Sequence, residues 1–204
     1  MVQEKNEKVY RLVLAALMAA LCYVGYALLP ALNADGTKIH FGNAFVVLAA
    51  YLLGGPYGGL SGAVGLSLAD ILGGFAESAP RTFLTKLVIG LVVGLVAHRI
   101  AKISEDHPSS YVWKWSIIAA IAGLGVNCLF EPALKYVWYT LLIPNPDKAA
   151  SAIKALLAVT TYTTLINAVT NSIVAVILYN AVRPALRRAG MILPVGKHRK
   201  TEQR

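Results

Sequence analysis

Residues 113–139 read WKWSIIAAIAGLGVNCLFEPALKYVWY, with no charged side chain from Ser116 to Phe130 and with Trp113, Trp115 and Trp138 near the two ends. A helix needs about 20 apolar residues to cross the hydrocarbon core of a bilayer, and tryptophan concentrates where that core meets water. The stretch therefore reads as a membrane-spanning helix with aromatic anchors. Inside it, Asn127, Glu131 and Lys135 stand at i, i+4 and i+8 and share one helix face. Glu131 and Lys135 are an i,i+4 pair in the favourable order, and Pro132 between them introduces a kink. Two uses fit this face: an ion pair that satisfies itself inside a bundle, or charged groups turned toward a polar ligand.

Outward from that stretch the pattern repeats. Of 204 residues, 57% are hydrophobic and 14% charged, and the mean hydropathy is +0.60. A soluble domain carries about 25% charged residues, so a disordered chain, a nucleic-acid module and most soluble enzymes are excluded. The sequence predicts an all-α, multi-pass protein of the cell membrane, one membrane domain over residues 1–204. Its six spans are expected at 9–32, 41–53, 59–72, 81–100, 113–139 and 159–182. Residues 54–58, Gly-Gly-Pro-Tyr-Gly, read as a tight turn between the second and third segments. Both segments are short for a crossing, so a re-entrant hairpin is an alternative that leaves the chain ends on the same side. Residues 148–157 read as an amphipathic connector into the last span.

Charge gives the orientation. The chain has 19 Lys+Arg against 10 Asp+Glu, a net +9. Basic residues gather at Lys5, Lys8 and Arg11, at Arg99, Lys102 and Lys114, and in the tail over 183–204. With six spans these regions share one side, which the positive-inside rule makes cytoplasmic. Topology and anionic lipid account for the basic tail, so no nucleic-acid partner is expected. The first apolar block exceeds the length of a signal-peptide core and lacks a clear cleavage site, so a retained helix is expected.

Direction then sorts the polar residues. In this orientation the fifth span runs outward, placing Asn127, Glu131 and Lys135 in the outer half. The sixth runs inward, which puts Thr160, Thr163 or Thr164, Asn167 and Asn171 in the same half, as are Asp70 and Lys86. Asparagine and threonine also join helices in membranes, but helix joints alone have no reason to collect on one side. An outward-facing polar pocket does, while the inner half reads as apolar and small. Small residues four apart, Ala15/Ala19, Ala16/Ala20, Gly55/Gly59, Gly58/Gly62 and Gly90/Gly94, fit close packing within the bundle or a docking face for another membrane protein.

Several chemistries find no support. There is no G-x-x-x-x-G-K-[ST] phosphate loop and no H-E-x-x-H. His40, His98, His107 and His198 are scattered, and Cys22 and Cys128 lie in apolar blocks, so neither a metal site nor a structural disulfide is expected. No cofactor and no enzymatic activity are expected.

Six spans in about 200 residues, the alanine pairs of the first span, Lys38-Ile39-His40-Phe41-Gly42-Asn43, Leu53-Gly54-Gly55-Pro56-Tyr57-Gly58-Gly59 and Ser67-Leu68-Ala69-Asp70 together resemble the S components of energy-coupling factor (ECF) vitamin transporters, riboflavin-type members included. The resemblance weakens after about Ser104. It implies a substrate-binding subunit that captures a water-soluble vitamin or related heterocycle from outside. Import would be driven by a transmembrane T component and two cytoplasmic ATPases. It implies that Ala15, Ala16, Ala19 and Ala20 form the face for the T component. It also implies a binding pocket at Asn43, Lys86, Asn127, Glu131, Tyr162, Asn167 and Asn171. In such a pocket Lys86 gives a cationic contact, Glu131 an acceptor or counter-ion, the asparagines amide hydrogen bonds, and Tyr136, Tyr139 or Tyr162 a surface for a ring. The start Met1-Val2-Gln3 lacks the Met-His of cobalt and nickel members, which implies a non-metal substrate. The competing readings are a self-sufficient ion-coupled secondary transporter working through Glu131 or Asp70, although no inverted repeat is visible, and a membrane scaffold that binds no solute.

Overall fold

The computed structural model describes residues 2–28, 38–142 and 150–191, and those residues form an all-helical bundle without strands. Its elements are α1 (Val2–Ala27), α2 (Gly42–Leu53), α3 (Gly55–Leu72), a short 3₁₀ turn (Ala76–Ser78), α4 (Ala79–Gly94), α5 (Ser109–Val137) and α6 (Ala150–Arg188). α4 and α5 each finish in a wider π-type turn, Leu95–Ile100 and Trp138–Leu142. Four stretches are long and apolar enough to cross a membrane: Glu7–Ala27, Ala76–Ile100, Ser109–Leu141 and Ala152–Arg188. Their outward residues are apolar, with Leu12, Ile121, Leu129 and Ile173 all exposed, which is the pattern of a surface meant for lipid rather than water.

α2, with 12 residues, is too short to cross alone at 1.5 Å of rise per residue. It is instead the centre of the bundle and touches each of the other five helices. Ala44, Val46, Val47, Ala49 and Ala50 are all fully buried. A helix without charge on any face is buried on all of them, and the sequence GNAFVVLAAYLL has none.

The turn expected over 54–58 contracts to one residue. Gly54 sits at φ +84°, a conformation that glycine adopts without penalty, and α3 begins immediately at Gly55. Pro56 fits in that first turn because its missing N–H would have had no helical partner there. The connector expected over 148–157 is, from Ala150 onward, the start of α6 itself. The first helix is followed only to Leu28, so the end expected at 32 lies outside the described residues, as does most of the basic tail. The start of that tail is helical: Arg183 Nη2 donates to the Ile103 and Glu105 carbonyls (3.3 and 3.2 Å), and Arg187 pairs with Asp106 at 2.8 Å. These bonds bring the end of α6 against the α4–α5 connection.

The glycine pairs are packing surfaces inside the bundle. A Cβ on Gly90 would collide with the backbone of Gly59, and one on Gly94 with the backbone of Gly55. α3 and α4 therefore meet backbone on backbone. α3 uses Gly58 in the same way against Ala50 of α2, and Gly65 against Ala19 of α1. Ala19 thus lies at an internal contact, and Ala15 packs near Met18, Ala49 and Leu53. Ala16 and Ala20 are the two of the four alanines that remain exposed.

Gly125 gives the internal control, since a Cβ there meets nothing within 4 Å. Gly90→Ala is expected to lower stability by about 1–3 kcal/mol through overpacking, whereas Gly125→Ala is neutral or stabilises by up to about 1 kcal/mol through helix propensity. Thermal unfolding of the two variants in detergent checks this. Equal melting temperatures would show that α3 and α4 are not in backbone contact.

Candidate functional site

The polar residues converge at one end of the bundle, where α1, α3, α4, α5, α6 and the segment entering α2 surround a small cavity. Its wall includes Tyr26, His40, Asp70, Arg81, Lys86, Glu131 and Asn167, with further polar groups from Lys38, Ser78, Thr82, Lys135, Thr163 and Thr164. Within the described residues it encloses about 40 Å³, far below the roughly 300–1,000 Å³ of a drug-sized ligand site. A vitamin-sized ligand must therefore widen it. A larger groove of about 480 Å³ runs along the outer faces of α5 and α6 past Trp113, Ile117, Ile121, Ile173 and Ile177. Ser172 is its one polar side chain, so it suits acyl chains and not a polar solute.

Buried charge in a bilayer is expensive unless it is paired, and the cavity wall shows how each group is held. Lys86 on α4 is 4% exposed, and its Nζ lies 3.5 Å from Glu131 Oε2 on α5. The same carboxylate oxygen accepts from Asn127 Nδ2 at 2.9 Å. Asn127 is thus an i−4 partner that orients Glu131, while its own Oδ1 is buried with no hydrogen-bond partner. The spacing of α5 had offered Lys135 as the local partner of Glu131. In the structure Lys135 Nζ donates across the interface to Thr160 Oγ1 of α6 at 2.7 Å. The ion pair therefore ties two helices together and does not close within one.

Asp70, at the end of α3, is held without a close cation. Tyr26 donates to Oδ1 at 2.6 Å and Thr82 to Oδ2. The Tyr26 ring meets the His40 ring edge-on at 4.8 Å, with Lys38 Nζ 3.8 Å from its centroid. Arg81, in the first turn of α4, donates through Nη2 to Ser78 Oγ at 3.1 Å and lies 5.8 Å from the Tyr139 ring.

Asn167 and Asn171 stand one turn apart on α6 and hold the backbone of residues 38–44. Asn167 Oδ1 accepts from the His40 N–H, and its Nδ2 donates to the Lys38 carbonyl, both at 2.9 Å. Asn171 Oδ1 accepts from the Ala44 N–H at 2.8 Å, and its Nδ2 donates to the His40 and Asn167 carbonyls. An asparagine has two donors and one two-lone-pair acceptor, so these amides are largely occupied by the chain itself. They place Lys38 and His40 at the cavity.

The residues singled out from sequence thus separate. Lys86, Glu131 and Asn167 reach the cavity, Asn127 supports Glu131 from behind, and Asn171 clips the entry to α2. Asn43 is buried in the first turn of α2, its Oδ1 without a partner, and is not part of the cavity wall. Tyr162 is 69% exposed on the outer face of α6 and also stands apart from it. Tyr26, Lys38, His40, Arg81 and Thr82 line the site without having been singled out. Tyr26 and Arg81 look from sequence like ordinary interfacial residues at span ends. The one available signal was Asp70: a carboxylate that near to the membrane requires donors, and an unassigned tyrosine, arginine and threonine lay within reach of the same side.

The end of the bundle opposite the cavity, expected from sequence to be apolar, also carries polar groups. His98 Nε2 meets the Ala50 carbonyl at 2.9 Å, Tyr51 donates to the Ser116 carbonyl, and Asn180 Nδ2 donates to Ser116 Oγ at 3.0 Å. These bonds join α2 to the end of α4 and to α5, and α5 to α6, while His98 Nδ1 is buried without a hydrogen-bond partner.

Among the described residues no group of His, Cys, Asp and Glu is arranged to hold a metal ion. A comparison with curated proteins and one with solved structures each gave no significant match. The model of the family described as ECF-type riboflavin transporter, S component, matches residues 6–184, nearly the whole apolar part of the chain. That family is one of membrane transport subunits and not of enzymes. A multi-pass helical bundle whose buried charges gather around one small cavity is in keeping with that match, and the chain belongs to the ECF-type riboflavin transporter S component family.

Proposed function

We propose that the chain is the substrate-capturing S component of an ECF transporter in the cell membrane, taking a water-soluble vitamin or related heterocycle from outside. Import would follow through a T component and two cytoplasmic ATPases. The observation that carries this reading is the Lys86–Glu131 pair at the cavity, braced by Asn127. The pair joins α4 to α5 at the wall of a polar cavity, where a ligand group can compete for either partner. Lys86, Glu131 and Asn167 are the proposed ligand contacts, with Asn43, Asn127 and Asn171 positioning them. The lipid-facing ring of Tyr162 has a role in this reading only if α6 rotates on binding. For the T component we propose the exposed Ala16 and Ala20 stripe of α1, with Ala15 and Ala19 setting the depth of α1 against α3. Six crossings with both ends cytoplasmic complete the reading; a re-entrant α2–α3 hairpin would lower the count by two and leave both ends on the same side.

A thermal-shift screen of the detergent-purified chain against water-soluble vitamins and their precursors tests capture. A ligand at 100 times its dissociation constant that binds only the folded chain adds about 2.7 kcal/mol, a large and saturable shift. Lys86→Met and Glu131→Gln are each expected to weaken that ligand at least about tenfold, the scale of losing one member of a buried charge pair. Unchanged affinity in both, and in Asn167→Ala, would refute the site. No shift with any vitamin on a well-folded chain would favour the scaffold or secondary-transporter reading.

Orientation has its own test. In a chain whose Cys22 and Cys128 are replaced by alanine, single cysteines placed at Lys5 and at Arg188 should both be shielded from a membrane-impermeant thiol reagent in intact cells and labelled after lysis. Labelling of one alone would mean an odd number of crossings.

A further inference from the structure

Among the described charged groups of the cavity wall, Arg81 keeps a buried nitrogen without any hydrogen-bond partner. Its residue is 6% exposed, Nη2 is held by Ser78, and Nη1 is buried without any hydrogen-bond partner. Arginine stays charged at any accessible pH, and a buried unsatisfied donor on a charged group carries a substantial penalty. The two carboxylates of the wall do not relieve it. Asp70 is taken by Tyr26 and Thr82, and Glu131 by Lys86 and Asn127. Arg81 forms no ion pair among the described residues.

Two further features have the same sign. Among the described residues the wall carries Lys38, Arg81, Lys86 and Lys135 against only Asp70 and Glu131. Arg81 also lies in the first turn of the 16-residue α4, where the helix dipole favours negative charge. The guanidinium fork matches the two oxygens of a carboxylate or phosphate, and neither a cationic amine nor a metal ion. The Tyr139 ring lies 5.8 Å from the guanidinium carbon.

We infer that the ligand enters this site with a negatively charged group, a carboxylate or a phosphate, and that Arg81 receives that group through its open Nη1 edge. The inference rests on the capture reading above and narrows it, because it excludes substrates that are neutral or cationic over their whole length, riboflavin included, so that the family gives the kind of subunit and not the ligand. Lys86 and Glu131 then address the polar, uncharged part of the same molecule.

The test is isothermal titration of the full-length chain in detergent with matched pairs that differ in charge: nicotinate and nicotinamide, pantothenate and panthenol, biotin and biotinamide, pyridoxal phosphate and pyridoxal, flavin mononucleotide and riboflavin. The first three pairs probe a carboxylate and the last two a phosphate. In the pair that binds, the anionic member is expected to bind at least about tenfold more tightly, the scale of a hydrogen bond to a charged group. Arg81→Gln should erase that preference and leave the neutral member within about twofold, while Arg81→Lys retains part of it. If Arg81→Gln does not fold, the wild-type preference and the Arg81→Lys variant decide. A neutral member that binds as well as its anion overturns the inference but leaves the capture reading standing. A folded wild-type chain that binds no member of any pair overturns both.

Discussion

Two side-chain amides one turn apart on α6 hold the chain as it enters α2, and the remainder of the bundle depends on that hold. Backbone groups at residues 38–44 lie outside any helix or just at the start of one, and His40 and Ala44 among them are buried. At membrane depth, irregular backbone survives only where protein supplies its hydrogen bonds. Asn167 and Asn171 supply them to Lys38, His40 and Ala44. The bond from the Phe41 N–H to the Gly25 carbonyl, 2.9 Å, adds an anchor on α1. With its entry fixed in this way, a helix of 12 residues can occupy the centre of the bundle, and the same bonds carry Lys38 and His40 to the cavity. One arrangement serves both the core and the site.

The charges follow a related logic. A lone ammonium or carboxylate inside a membrane would distort the bundle or draw in water. Lys86 and Glu131 come from positions 45 residues apart and meet where α4 and α5 converge. Their contact at 3.5 Å is looser than the 2.7–2.9 Å of a tight charged hydrogen bond, and Glu131 remains 28% exposed in its side chain. Both groups stand at the cavity wall, and in the proposed site an incoming polar molecule would compete for either partner. The amide of Asn171, by contrast, is occupied by backbone groups.

The helical architecture was legible in the sequence because membrane helices announce themselves by length and apolarity. The concentration of polar residues at one end was legible for the same reason. The partners were not. Periodicity groups Asn127, Glu131 and Lys135 on one face of α5, yet it does not say which neighbouring helix that face meets, so Lys86 and Thr160 as their partners could not be read. The same rotational freedom separates Ala15 and Ala19, which turn inward, from Ala16 and Ala20, which turn outward. It also leaves Tyr162 on the lipid side. In a soluble helix a polar face would mark the outside, but in a bilayer both faces are apolar and that mark is lost. Arg81 was hidden differently: an arginine at the start of a span is ordinary, and only the fold shows that Ser78 and Tyr139 enclose it.

The glycine seam between α3 and α4 has a mechanical consequence. Where backbones touch directly there is no layer of side chains to change rotamer and absorb a displacement, so the two helices move as one plate. Asp70, Arg81 and Lys86 all ride on that plate or at its edge. Glu131 and Lys135 belong to α5, which packs on α4 and carries Pro132 and a π-type turn, and Asn167 belongs to α6, which packs on α5 and α2. If the proposed site widens for a ligand, the α3–α4 plate is the part that keeps its shape, and the change falls to α5 and α6. The Lys86–Glu131 contact joins the plate to α5, so such a movement would stretch it first.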